Sequence, residues 1–422
     1  MRKVLNAMLP LMFLAACGGG GSGGLSAGGG GGGSGGGGTG QTIAGPGPNV
    51  ATLTVSLFQA TSANIPYISV TVCQPGTTNC QTIDNVEVDT GSAGLRILST
   101  ASTAAFLQSL PQQFVANSTT PVIECAQFAD GFTWGPVVSA DVTISSEKAS
   151  GIPIHVIGAP APYDNDVPSS CSSIGPEEDT VAAFGANGII GVGATIQDCG
   201  SLCTTAVTGA YYACPPNGAG CTPIAEPIDS QVSNPVASFT ADNNGVIVEL
   251  PSVAANGATS ATGALVFGIG TESNNTLGSA TIITLDTSSG VGAFDVTFNS
   301  ADYPGSILDS GSNALFFTDN ALTTCAQGTV GAGFYCTAAN LTATITGTNG
   351  TQLTASFSVG DATTMFDASP NGAAFPQLAG SPGTTSLAQV FDFGLPYFYG
   401  RNVFTAIEGM SAAGTQGPYY AY

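Results

Sequence analysis

Histidine occurs once in the 422 residues, as His155, and lysine and arginine together only five times. A single histidine leaves little room for serine triads, cysteine–histidine pairs or histidine-rich metal centres. Five cations against 27 acidic residues give a net charge of −22. Such a chain repels nucleic acid, whose binding depends on neutralising phosphates, and anionic lipid head groups as well. Charged residues make up only 8% of the whole against 43% hydrophobic, the reverse of a disordered acidic tail. Long amphipathic windows are scarce, and the 59 glycines and 25 prolines argue against extended helices. No repeat of 20–50 residues marks a propeller or solenoid.

At the N-terminus, Arg2 and Lys3 precede an apolar run, Val4 to Leu14, too short to span a membrane. Leu14-Ala15-Ala16-Cys17 resembles the bacterial lipobox, so residues 1–16 read as a signal peptide and Cys17 as the lipidated residue. Gly18 follows, which by resemblance to Gram-negative lipoproteins implies the outer membrane. Residues 18–40 hold 17 glycines and cannot bury a core; with the segment to residue 48 they form a flexible tether from Cys17. Ten cysteines remain after Cys17, an even number that reads as up to five disulfides in an exported chain. Cys73 with Cys80 and Cys325 with Cys336 suit local clips. Cys199, Cys203, Cys214 and Cys221 pair among themselves in a pattern the sequence leaves open, a four-thiolate zinc site being the rival reading.

From Asn49 the texture is all-β: short Val-, Ile-, Thr- and Phe-rich runs separated by turn residues every eight to twelve positions. Expected strands include Ala51–Leu57, Tyr67–Cys73, Val86–Asp89, Val137–Ile144, Val246–Leu250, Ala264–Gly268 and Ala280–Leu285, with one short helix at Ser99–Leu107. One motif occurs twice. Val86-Glu87-Val88-Asp89-Thr90-Gly91-Ser92-Ala93-Gly94-Leu95 is echoed by Ser306-Ile307-Leu308-Asp309-Ser310-Gly311-Ser312-Asn313-Ala314-Leu315. A division near residue 235 puts one copy in each half, 49–235 and 236–422. Two carboxyls about 3 Å apart share one proton and so supply an acid and a base at one pH. A water between them then hydrolyses an amide without histidine, metal or covalent intermediate.

With these features the chain resembles the pepsin-like aspartic proteases, two-lobed all-β enzymes with a cleft between related barrels. Asn187-Gly188-Ile189-Ile190-Gly191-Val192-Gly193 is similar to the apolar-apolar-Gly strand threaded beside the first catalytic loop. Phe391-Asp392-Phe393-Gly394-Leu395-Pro396-Tyr397-Phe398-Tyr399-Gly400-Arg401 resembles the closing segment of the second lobe, and Gly263 to Gly268 its opening strand. The resemblance covers most of 50–410, patchily; the whole chain also looks like a family of bacterial secreted lipoproteins of unknown function. It implies catalysis by Asp89 and Asp309, with Thr90, Gly91, Ser92, Ser310, Gly311 and Ser312 supporting them. Thr90 and Ser310 hydroxyls are expected to bond across the two-fold, Ser92 and Ser312 to their own Asp. The resemblance also implies a polypeptide substrate or ligand, with no metal, cofactor or nucleic acid, and the expectation is a monomer that meets membrane only through the lipid on Cys17.

Four features depart from the family pattern. Arg96 stands where a tryptophan usually supports the flap, and a structural ion pair is expected of it. The flap hairpin falls at Glu124–Gly135, where Phe128 or Trp134 replaces the usual tyrosine. Asp392 occupies an apolar position, and no basic propeptide precedes Asn49. The alternatives are an inactive pepsin-like module that binds peptides or surface polymers, and a β-rich adhesin of other descent. His155, within an apolar run, reads as an ordinary strand residue; Asp392-Phe393-Gly394 lacks the other kinase motifs.

Overall fold

A computed structural model describes residues 41–59, 62–158, 167–215, 220–383 and 389–422. The signal peptide, Cys17 and the tether to residue 40 lie outside the described residues. The expected all-β fold is present: a fifteen-stranded sheet and a seven-stranded sheet carry nearly all of the structure. The expected strands are found, most of them longer than their apolar runs: Val50–Ser56, Pro66–Cys73, Cys80–Asp89, Phe132–Ile144, Gly245–Leu250, Ser260–Phe267 and Ile282–Thr284. Alternation does the sorting. In Ala339–Thr346 and Gln352–Val359 the small or apolar residues Ala343, Ile345, Ala355 and Val359 turn inward while threonines face out. Asn349-Gly350, with Gly350 at φ +79°, makes the turn between them.

The helix expected at Ser99–Leu107 is instead a 3₁₀ turn, Ser99–Ala101, and a single α-turn, Ala104–Leu107. Thr103 breaks it: its hydroxyl accepts the Phe106 N–H and caps the second piece.

The motif repeat becomes a repeat of topology. Strand Gly188–Val192 runs parallel to Cys80–Asp89, pairing Val86 with Gly188 and Asp89 with Gly191, and antiparallel to Ala93–Leu98. It thus lies between the two arms of the Asp89 loop. In the second half, Asp392–Phe393 lies likewise between Ala301–Leu308, parallel, and Leu315–Phe316, antiparallel. The glycines are required by this close approach. A Cβ on Gly191 would stand 2.5 Å from the Ala93 nitrogen, and one on Gly394 2.1 Å from the Ala314 oxygen.

The halves are not separate sheets. Val50–Ser56 pairs over its full length with Ser260–Phe267, which continues through Gly245–Leu250 to Arg401–Ala406. Behind the second loop, Phe317 stacks on Phe391 at 4.7 Å and Phe391 on Phe393 at 4.5 Å, filling that lobe with aromatic rings.

All ten remaining cysteines are paired: Cys73–Cys80, Cys125–Cys171, Cys199–Cys203, Cys214–Cys221 and Cys325–Cys336. The central four do pair among themselves, as disulfides and not as zinc thiolates. Five bridges are those of a chain that folds in an oxidising compartment, periplasmic or extracellular.

Arg96 is fully buried beside the Asp89 loop. Its Nη2 lies 2.6 Å from Glu124 and 3.2 Å from Asp198, and its Nη1 donates to the Ala93 carbonyl. Tyr211 donates to Asp198, and His155 Nδ1 stands 2.6 Å from the other Glu124 oxygen. Burial alone would push Glu124 up, but Arg96 and then His155 hold it below the ordinary carboxylate range. Asp198 goes the other way, raised by burial and then by the charge of Glu124. The cluster joins the Arg96–Glu124 ion pair to Asp198 and Tyr211, and it anchors the hairpin strand of Glu124 to the strand that leaves the Asp89 loop.

Arg96→Met should therefore destabilise the protein by about 3–5 kcal/mol, because it strands the Glu124 charge in the interior. Adding Glu124→Gln should recover much of that loss. Urea unfolding of both variants checks this; equal losses would mean that the ion pair does not organise the cluster.

Candidate active site

The two Asp loops meet back to back. Thr90 Oγ1 donates to the Leu308 carbonyl at 3.0 Å and accepts the Ser310 N–H at 2.9 Å. Ser310 Oγ donates to the Val88 carbonyl at 2.7 Å and accepts the Thr90 N–H at 3.1 Å. Each hydroxyl thus bonds the backbone of the opposite loop, and the four bonds are related by the internal two-fold.

This grip puts each carboxyl against the opposite glycine. A Cβ on Gly91 would fall 2.6 Å from Asp309 Cγ, and one on Gly311 2.9 Å from Asp89 Oδ1. Only glycine leaves room for the facing acid. Gly91 N–H donates to Asp89 Oδ1 at 2.7 Å and Gly311 N–H to Asp309 Oδ1 at 2.8 Å. Ser312 Oγ donates to Asp309 Oδ2 at 3.0 Å. Ser92 differs from its expected role: its hydroxyl is buried without a hydrogen-bond partner.

A Cβ on Gly311 would also lie 3.2 Å from Asp309 Oδ1, so the two carboxyls stand side by side at that glycine. Burial first, then the charge of Asp89, then that of Asp392 raise Asp309 well above the usual carboxylate range. One proton is therefore retained between the pair while one charge remains, the condition for an acid and a base side by side.

The surroundings deepen this. Glu87 and Asp392 are also buried, and both are raised, chiefly by burial. Asp392 was marked out by its place in an apolar element; Glu87 was not singled out. Its signal was the alternation Val86-Glu87-Val88-Asp89, which sets it on the same face as Asp89. Among the described cations, Arg96 is taken by Glu124, Lys148 by Asp141 on the surface, and Arg401 lies over the Tyr397 ring. With no cation beside them, burial favours the neutral forms of Glu87, Asp309 and Asp392.

Access is closed. Asp89 is 2% and Asp309 1% exposed. The hairpin of Val122–Gln127 and Phe132–Ile144 does reach across, but not through the expected rings. Phe128 packs edge-on against Phe184, and Trp134 against Tyr212, in clusters that contain no residue of either Asp loop. Both are core residues, buried because large rings gain more inside the lobe than over a polar cleft. The tip crosses with Ala129, which packs with Ala63 on the second-half cluster of Ala314, Phe316 and Phe375. At that tip burial, and then the charge of Asp130, push Glu178 up to about 9. Cys125–Cys171 and pairing with Tyr211–Ala213 hold the hairpin's base.

Asn64 completes the closure and was not anticipated. It lies at φ +59° in the loop after Val50–Ser56, a conformation asparagine tolerates. Its Nδ2 donates to the carbonyls of Asn313 and Phe375, and its Oδ1 accepts the Phe375 N–H and the Tyr399 hydroxyl. All four partners belong to the second half.

Thr90→Val should lower stability by about 1–3 kcal/mol, because it leaves the Ser310 N–H and the Leu308 carbonyl buried and unpaired. Thr90→Ser should restore most of it. Urea titration of the two variants is the measurement, and equal losses for Ser and Val would contradict the grip.

No curated protein matches the chain. Among solved structures, an aspartic proteinase from Irpex lacteus aligns with 88% of this chain and 96% of its own, at 14% identity and a TM-score of 0.45. A family model matches residues 45–422, and the chain accordingly belongs to the family described as "Protein of unknown function (DUF3443)".

Proposed function

We propose that the protein is an aspartic-type endopeptidase that hydrolyses exported or surface polypeptides. The observation that carries this reading is the pair Asp89 and Asp309, buried, each set against the opposite loop's glycine and held by reciprocal Thr90 and Ser310 bonds. In the reaction the ionised carboxyl takes a proton from a water held between the two. The protonated carboxyl donates to the peptide carbonyl oxygen as the water attacks. The resulting gem-diol collapses with proton transfer to the leaving amine, returning one proton to the pair. Gly91 and Gly311 N–H groups fix the carboxyl planes, and Ser312 steadies Asp309. The cleft must open at the Ala129 tip and the Asn64 contact for a chain to enter. A second reading, a module that holds peptides or surface polymers without cleaving them, is favoured by the flap hairpin, whose Phe128 and Trp134 rings go to the core and bring no hydroxyl to the cleft.

The chain would stand on a bacterial outer membrane, tethered through lipid on Cys17. No helix among the described residues is long and apolar enough to cross a membrane.

The purified, oxidised protein should cleave an unfolded substrate with a bell-shaped pH profile. Its descending limb should lie above the ordinary carboxylate range, because Asp309 is raised and activity ends when the shared proton is lost. Asp89→Asn and Asp309→Asn should each cut kcat/KM by about a thousandfold or more, and the double variant should lose little beyond either. A folded protein that cleaves nothing between pH 3 and 8, yet binds a statine-type inhibitor, would leave the binding module as the correct reading.

Cys17→Ser should move the protein from the membrane fraction to the soluble one. Retention of that variant through a salt wash would contradict the lipid anchor.

A further inference from the structure

The strands threaded beside the two Asp loops differ at one rung. Two positions before the Asp, Glu87 pairs with Ile189 in the first half, whereas Ile307 pairs with Asp392 in the second. Each lobe therefore carries one extra acid on the same rung, on opposite strands, and each is 1% exposed. The repeat itself supplies the comparison: the apolar residue that suits the position of Asp392 is seen in Ile189.

Asp392 cannot turn away. The Phe391 N–H before it donates to Ser306 Oγ at 3.0 Å, and the Phe393 carbonyl after it accepts the Asp309 N–H at 3.1 Å. Leu395 N–H closes the loop by donating to the Ser312 carbonyl at 2.7 Å. Asp392 pairs with Ile307, two residues before Asp309, so the two acids share one face of neighbouring strands. The ionisable groups coupled to it by charge are Asp89, Asp309 and Tyr420, with the Ser312 hydroxyl the polar neighbour. None is positive. Neither Asp392 oxygen makes a well-aligned hydrogen bond, and the Ser312 hydroxyl is the polar group that interacts with it. That same hydroxyl donates to Asp309 Oδ2.

We propose that Asp392 is a positioning residue for the carboxyl pair, making the site a three-carboxyl unit in which the charge on Asp392, relayed by Ser312, governs whether Asp309 keeps its proton. This rests on the reading of Asp89 and Asp309 as the working pair. Ser312 has one hydroxyl proton to give. While Asp392 is protonated, that proton serves Asp309, and the Asp392 O–H has Ser312 Oγ as acceptor. Once Asp392 ionises, it draws the hydroxyl proton away and adds a like charge beside Asp309. Both effects hold the last proton on Asp309. Burial followed by the charge of Asp89 already keeps Asp392 well above the usual range, so the unit keeps its protons beyond mildly acid pH.

The test is a pH titration of the full, oxidised protein labelled with ¹³C at aspartate carboxyls. Signals are assigned by their loss in D309N and D392N. In D392N the Asp309 midpoint should fall by about one pH unit, the scale on which a neighbouring like charge acts. In S312A it should rise, because the ionised form loses a donor. An Asp309 midpoint unchanged in D392N would overturn the proposal. Should D392N fail to fold, S312A and the wild type decide. An Asp392 already ionised at pH 7, with Asp309 titrating near 4, would overturn it equally. Where peptide cleavage is measurable, the descending limb of the pH–rate profile should move with the Asp309 midpoint. Shifts in the titration without any cleavage would support this role while overturning the hydrolase reading.

Discussion

Two short hydroxyl side chains, Thr90 and Ser310, each bond the backbone of the other's loop, and the centre of the molecule is built on those four hydrogen bonds. They force two acids side by side in a place that water scarcely reaches. Everything around them answers to that constraint. Gly91 and Gly311 are glycines because the opposite carboxyl occupies the space of a side chain. Gly191 and Gly394 are glycines because the threaded strands must come close enough to stiffen the loops. The one buried arginine near the first loop is neutralised by its own glutamate and lends nothing to the centre. With no cation to share, the acids settle their repulsion by keeping protons.

Much of this was legible in the sequence because it is written locally. The duplicated Asp motif, the apolar-apolar-Gly strands and the even cysteine count each depend on neighbours within a few positions. The Cys73–Cys80 and Cys325–Cys336 clips could be read from spacing for the same reason. What escaped depends on contacts far apart in the chain. Asn64 finds its partners 249 to 335 positions away, and no local pattern marks an asparagine for that. Phe128 and Trp134 were read as flap rings from their place in a hairpin. Whether a ring covers a cleft or fills a core is decided by what Phe184 and Tyr212 leave open, and those lie 56 and 78 residues on. Ser92 and Ser312 look equivalent in the repeat, yet only Ser312 reaches its Asp.

The buried acids also set the conditions under which the fold is comfortable. Glu87, Asp309, Asp392 and Glu178 are all raised, so the folded chain binds protons more tightly than the unfolded one. Their contribution is complete at pH values below the ordinary carboxylate range and erodes as pH climbs; for Glu178 the erosion continues up to about 9. Glu124 has the opposite sign, so the Arg96 pair loses strength in strong acid. The hairpin tip, where the charge of Asp130 acts on Glu178, belongs to the first group.

The sheet pairing between Val50–Ser56 and Ser260–Phe267 has a consequence for the order of events after export. The first strand emerges at the start of the chain, but its edge partner follows more than two hundred residues later. Until then one side of that strand offers unpaired amide groups to any other strand nearby. The first half cannot finish as an independent unit, and closing so long a loop is a slow, non-local step. Newly delivered chains therefore pass through a period in which a β-edge is open while disulfides are still forming. In an oxidising compartment that interval is where encounters with chaperones, or with other copies of the chain, would be concentrated.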